Sequence, residues 1–191
     1  MMLTAEARIR GVHRLEPISS AFETLAEIAG SLLGFAAVAF ALTRGPEDLR
    51  SDDRLRLFLL LSLAVAAVLE GLLPHLLALL GQTGSSLWRT WSFTYVFAGT
   101  QIILFGVFLY SRMEPDERIA YVGHTRSLRA MSVVVHGILG LIFISQILNT
   151  LTFGFSGKEW VCLAGLLFTV IEAAIILLTI IFLRRDHTAA G

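Results

Sequence analysis

Cysteine, lysine and charge of either sign are scarce in this chain, and each scarcity excludes something. The single thiol, Cys162, lies in an apolar run, so no internal disulfide can form and the redox compartment is not marked. Charged residues make up 16% of the 191 residues, where soluble domains carry about 25%, so an ordinary water-facing surface is excluded. Net charge is zero, which removes any general attraction to nucleic acid. There is no HExxH, no CxxC and no glycine-rich phosphate loop. Metalloprotease, thiol-redox and nucleotide chemistries therefore lack support, no cofactor is implied and no metal is specified. The basic residues are almost all arginine, with Lys158 the exception, a bias without a mechanism attached.

What the chain has instead is hydrocarbon. Hydrophobic residues make up 55% of it and mean hydropathy is +0.75. A helix needs roughly 20 apolar residues to cross the bilayer core. Five segments meet that need, at approximately 18–43, 56–80, 88–110, 128–150 and 159–183. The sequence thus predicts an all-α, polytopic integral membrane protein, a bundle of five transmembrane helices with short loops. An N-terminal interfacial segment (1–17) precedes the single transmembrane domain (18–185), and a short tail (186–191) follows.

Helix punctuation agrees with these limits. Ser20 with Glu23, and Ser156 with Glu159, fit capping boxes ahead of apolar runs. Gly45-Pro46 stops the first span, and Ser51-Asp52-Asp53 starts the second. Trp88, Trp91, Tyr110 and Trp160 fall at span ends, where amphipathic rings favour the interface. In the longest loop, 111–127, Asp116 to Val122 can form a helical turn on the membrane surface. Ala39-Phe40-Ala41 resembles a signal cleavage site, but the apolar run before it is longer than a usual signal core, so the first span is expected to be retained.

Arginine distribution sets the expected orientation. Arg8, Arg10, Arg14, Arg89 and Lys158 fall on one side of the membrane. Arg44, Arg50, Arg54, Arg56, Arg112, Arg118, Arg126, Arg129, Arg184 and Arg185 fall on the other. The positive-inside bias then predicts a cell (inner) membrane protein with its N-terminus outside and its C-terminus cytoplasmic.

The polar residues inside the spans carry what chemistry there is. Glu27, Glu70 and Glu172 lie in three separate spans, where a carboxylate facing hydrocarbon costs several kcal/mol. At 100° per residue, Glu23, Glu27, Gly30, Gly34, Ala37 and Ala41 share a stripe on the first span, with Gly30 and Gly34 forming a small-xxx-small motif. That stripe is expected to face protein and offers a homo-oligomer contact. Leu63, Ala66, Glu70, Pro74 and Leu77 share a face of the second span. Pro74 cannot donate to the carbonyl of Glu70, and a freed carbonyl beside an acid is a recurring ingredient of ion sites. Thr90, Thr94, Ala98 and Gln101 align on the third span, Arg129, Ser132, His136, Gly140 and Phe143 on the fourth, and Gly165, Thr169, Glu172, Ile176 and Thr179 on the fifth.

A rise of about 1.5 Å per residue puts Glu27, Glu70, Gln101 and Glu172 roughly 13–18 Å below the outer boundary. Crowded carboxylates do not all ionise unless a cation neutralises them, so such a cluster suits reversible protonation or cation binding. His75 stands about 140° around the helix from Glu70, a poor metal pair, and reads as an interfacial residue. His136 lies deeper toward the cytoplasmic half, as a secondary polar candidate or a core histidine.

The resulting expectation is a small channel or transporter subunit for a proton or small cation, working in the lipid bilayer with Glu27, Glu70, Gln101 and Glu172 as its site. A non-transporting accessory or assembly protein, its acids bonded in the packing, is the alternative. A lipid enzyme ranks below both, because no nucleophile, base and orienter set is recognisable.

Overall fold

The computed structural model describes residues 20–38, 51–122, 126–151 and 157–188, with side chains there other than those of 52, 119–132 and 182–188. The interfacial segment 1–17, the Ala39-Phe40-Ala41 site, Gly45-Pro46 and the Ser156 cap lie outside the described residues. These residues form α1 (Ser20–Val38), α2 (Ser51–Leu79), α3 (Gly84–Ser111), α4 (Pro115–Val122), α5 (Arg126–Thr150) and α6 (Glu159–Thr188), with no strand among them. All but α4 are long and apolar enough to cross a membrane. Their outward faces are predominantly apolar, as lipid contact requires, with Leu69, Leu76, Phe93, Phe97, Leu104 and Leu141 all exposed.

Local chemistry sets the helix ends. Gly81, at φ 83°, takes the left-handed position that closes α2. Its N–H donates to Ala78 O at 3.0 Å and that of Gln82 to Leu77 O at 3.0 Å, the paired bonds of a Schellman motif. At the opposite end Glu117 completes a capping box on α4, accepting from Glu114 N at 3.2 Å, and its second oxygen accepts from Ser51 N at 3.3 Å. One carboxylate thereby holds α4 against the start of α2. α2 begins at Ser51, where the sequence placed a helix start, so the charged turn containing Arg54 and Arg56 belongs to the same helix as the apolar run that follows.

Four helices close a ring: α2 packs on α3 and α6, and α5 completes it by packing on α3 and α6. α1 lies outside that ring. Its inner face is Phe22, Ala26, Ala29 and Ala36, all buried. Phe22 packs on Trp88 and Trp91 with ring centroids 5.6 Å apart in each case, and Ala36 joins Leu60, Ala173 and Leu177 further along. Without a hydrophobic drive between helices in lipid, close backbone approach has to supply the packing. It does so at Gly71, where an added Cβ would lie 2.6 Å from Ala26 Cβ and 2.8 Å from Phe22 O.

Two expectations are corrected here. Within one copy the Gly30/Gly34 stripe does not pack into the bundle: Glu23, Glu27, Gly30, Gly34 and Ala37 are all exposed, a Cβ at Gly30 would reach only Val68 Cγ2 at 4.0 Å, and one at Gly34 would meet nothing within 4 Å. The alanine face packs instead, because the close partner is Gly71. Trp88 and Trp91 are not interfacial but buried core, held by Phe22. Trp160 is exposed at its span end as expected.

Candidate functional site

Between α2, α3, α5 and α6 lies a cavity of about 280 Å³ that is partly open to the outside. Leu55, Leu59, Leu63, Ala66 and Glu70 line it from α2, and Tyr95 to Tyr110 from α3. His136, Leu139 and Phe143 contribute from α5, and Thr169, Glu172 and Ile176 from α6. From Leu55 to Glu70 is 15 residues, so the cavity runs about 22 Å along α2. It extends from the α4 end of the bundle to the level of Glu70.

At that closed end Glu70 is buried, with 5% of its surface exposed, and its Oε2 has no hydrogen-bond partner. The backbone beside it is fixed. The carbonyl that Pro74 leaves without a donor accepts from Trp91 Nε1 at 2.8 Å. One lone pair of the freed carbonyl is therefore used by the fold. Trp91 stacks on Tyr95 with centroids 5.4 Å apart, and Tyr95 Oη lies 3.2 Å from Thr169 Oγ1 and donates to Gly165 O at 3.4 Å. Glu172 follows one turn along α6 from Thr169, and both carboxyls are near enough to act electrostatically on Tyr95. Glu172 also interacts electrostatically with His136 across the cavity.

Beyond Tyr95 a hydrogen-bonded layer closes the bundle at the α2–α3 turn end. Asn149 Nδ2 donates to Ser92 Oγ at 2.8 Å, and Ser92 Oγ donates to Gln146 Oε1 at 2.8 Å. Gln146 Nε2 donates to Val161 O at 2.6 Å, while Asn149 Oδ1 accepts from Lys158 N at 2.7 Å. Cys162 Sγ sits 3.3 Å from Ser92 Oγ. Gly157, at φ 68°, lets the chain turn closely over Ser85, and its N–H donates to Asn149 O at 3.1 Å. Ser92, Gln146 and Asn149 are all fully buried.

At the other end, Arg118 donates to Ser111 O at 2.8 Å and Met113 O at 3.0 Å, and its guanidinium lies 5.6 Å from the Tyr110 ring centroid. α4 thus steadies the aromatic side chain at the cavity's α4 end.

The structure brings together two of the four expected site residues. Glu70 and Glu172 share the cavity, with His136 on its wall. Glu27 faces away from the bundle on α1, and Gln101 faces away on α3. The third-span stripe fails for a physical reason: Thr90 and Thr94 bond the carbonyls of Ser86 and Thr90 at 3.1 and 3.0 Å, so neither hydroxyl needs an interior. The aromatic face of Trp88, Trp91 and Tyr95 turns inward instead. His75 Nε2 lies 2.9 Å from Glu23 Oε1, an exposed pair that joins α2 to α1. Reasoning from sequence missed Tyr95, Ser92, Gln146 and Asn149. The available signal was the pairing of polar residues three apart, Ser92 with Tyr95 and Gln146 with Asn149, on otherwise apolar helices.

Among the described residues no three His, Cys, Asp or Glu side chains converge as a metal site would require. A scan against protein-family models and searches of curated proteins and of solved structures found no match to this chain.

Proposed function

We propose that this chain is a small membrane transport protein or channel subunit that exchanges a proton or a cation at Glu70 and Glu172. The observation that carries this reading is the shared cavity: carboxyls from two different helices line it, one with an unpartnered buried oxygen. Acids held inside a membrane bundle and facing a cavity mark ion and proton paths more often than packing. In this reading Glu70 is the innermost acceptor, Glu172 a second carboxyl one turn nearer the α4 end, and His136 the group that exchanges with the entrance. Tyr95 and Thr169 supply neutral oxygen. Passage beyond Glu70 requires the layer of Ser92, Gln146 and Asn149 to part, as the closed side of an alternating-access cycle does.

The arginine distribution supports placing the α4 end in the cytoplasm of a cell (inner) membrane, with the N-terminus outside. A second copy of the chain on α1 belongs to the same reading, because Glu27 on the exposed Gly30/Gly34 face otherwise meets hydrocarbon. The mutually bonded layer of Ser92, Gln146 and Asn149 favours the accessory reading, since it is scaffold without exchangeable charge.

Reconstitution into liposomes carrying a pH-sensitive dye, under an imposed ion gradient, separates the two. Transport predicts flux by the wild type, loss to background in Glu70→Gln and Glu172→Gln, and retention in Glu27→Gln. No flux with any common cation, or equal rates in wild type and both cavity variants, gives the accessory reading.

A further inference from the structure

We propose that the cation this cavity accepts is an amphipathic organic ammonium rather than a hydrated metal ion. Its charged head would lie against Glu70 and Glu172, with its apolar body along α2 and α3 toward Leu55. The proposal rests on the reading that these carboxyls bind positive charge, and it adds the chemical class.

The walls argue first. Below Ala66 the α2 side is Leu63, Leu59 and Leu55, faced by apolar residues of α3 such as Ile103 and Val107. A hydrated ion gains nothing from about 22 Å of such wall, whereas an alkyl or aryl body gains burial along all of it. The volume, about 280 Å³, is close to the lower end of the range of small-molecule sites.

The polar end argues next. Glu70 and Glu172 bring carboxyls to the cavity, while the Glu70 carbonyl, Tyr95 and Thr169 already hydrogen-bond to neighbouring groups. The unpartnered Oε2 of Glu70, on a side chain 95% buried by its 5% exposure, calls for a donor that the protein does not supply. An ammonium N–H, or the positive edge of a quaternary head, meets that need, and the Tyr95 ring offers a cation–π face beside it.

The cavity also reaches the bundle surface on the α5 side, at His136. Gln146 and Asn149 tie α5 to α6 near the α2–α3 turn end. Toward the α4 end, a Cβ at Gly140 or Gly137 would meet nothing within 4 Å, and His136 is exposed while lining the cavity.

The test is saturable binding of radiolabelled decyltrimethylammonium to the full chain in nanodiscs, against protein-free discs and against neutral decanol. The proposal expects binding by wild type, weakening of about thirtyfold or more in Glu70→Gln as a buried charge partner is lost, and weaker binding of decanol. Gly106→Leu, which fills the apolar stretch without touching a carboxyl, should also weaken decyltrimethylammonium and keeps the test open if Glu70→Gln does not fold. No saturable binding, equal binding of decanol, or equal affinity in wild type and both variants overturns it. If the ammonium does not bind while Glu70→Gln still abolishes proton flux, this inference fails and the transport reading stands.

Discussion

Trp91 donates its indole N–H to the main-chain carbonyl of Glu70 at 2.8 Å, replacing the bond that Pro74 cannot make. The acid at the inner end of the cavity is thus held on a backbone whose Pro-freed carbonyl is hydrogen-bonded. That bond also joins α3 to α2 at the point where α1 crosses behind them at Gly71.

Removing the indole tests this directly. Trp91→Phe leaves the carbonyl buried without a donor and should lower stability by about 1–3 kcal/mol in thermal unfolding. Pro74→Ala restores an amide donor four residues on, so in the Trp91→Phe background it should recover part of that loss. In the wild-type background the same change should recover nothing. Equal effects in both backgrounds would show that Trp91 acts through packing alone.

The two glycine environments on α1 and α2 should respond oppositely. Gly71→Ala places a Cβ against Ala26 and the backbone of Phe22, so α1 must shift, costing about 1–3 kcal/mol. Gly34→Ala meets open space and should be neutral or slightly stabilising, by up to about 1 kcal/mol from helix propensity. Thermal melts of both variants at a fixed protein-to-lipid ratio decide the matter. A large loss in Gly34→Ala would show that the exposed stripe is a tight contact between copies.

Asn149 anchors the closing layer through Ser92 and Lys158 at 2.8 and 2.7 Å. Asn149→Leu strands both partners and should cost about 1–3 kcal/mol. It should also release the Gly157–Lys158 segment, read as faster cleavage there in limited proteolysis. Unchanged cleavage would mean that the turn is held by Gly157 and Ser85 without the amide.

Much of this architecture was legible in the residues. The five spans follow from run length alone, because nothing else needs about 20 consecutive apolar residues. The inward faces of α2 and α6 were legible too, since Glu70 with Ala66 and Pro74, and Glu172 with Thr169 and Gly165, repeat at helical spacing on elements that pack side by side in the ring. α3 was misread because threonine looks polar in a one-letter pattern yet bonds its own helix, while Trp91 and Tyr95 carry both the contact area and the hydrogen bonds. α1 was misread because its face is chosen by a partner, Gly71, two spans' worth of sequence away. Helical spacing says which residues share a face, and only tertiary packing says which face is covered.

The most direct measurement of the central relationship, one cavity shared by Glu70 and Glu172, is infrared difference spectroscopy of the protein in lipid across a pH titration, following the protonated-carboxyl stretch. A shared site predicts that Glu70→Gln removes one band and shifts the band that Glu172→Gln identifies as belonging to Glu172, while Glu27→Gln leaves both in place. If Glu70→Gln leaves the Glu172 band unmoved in position and midpoint, the two carboxyls do not share a site and the account is contradicted.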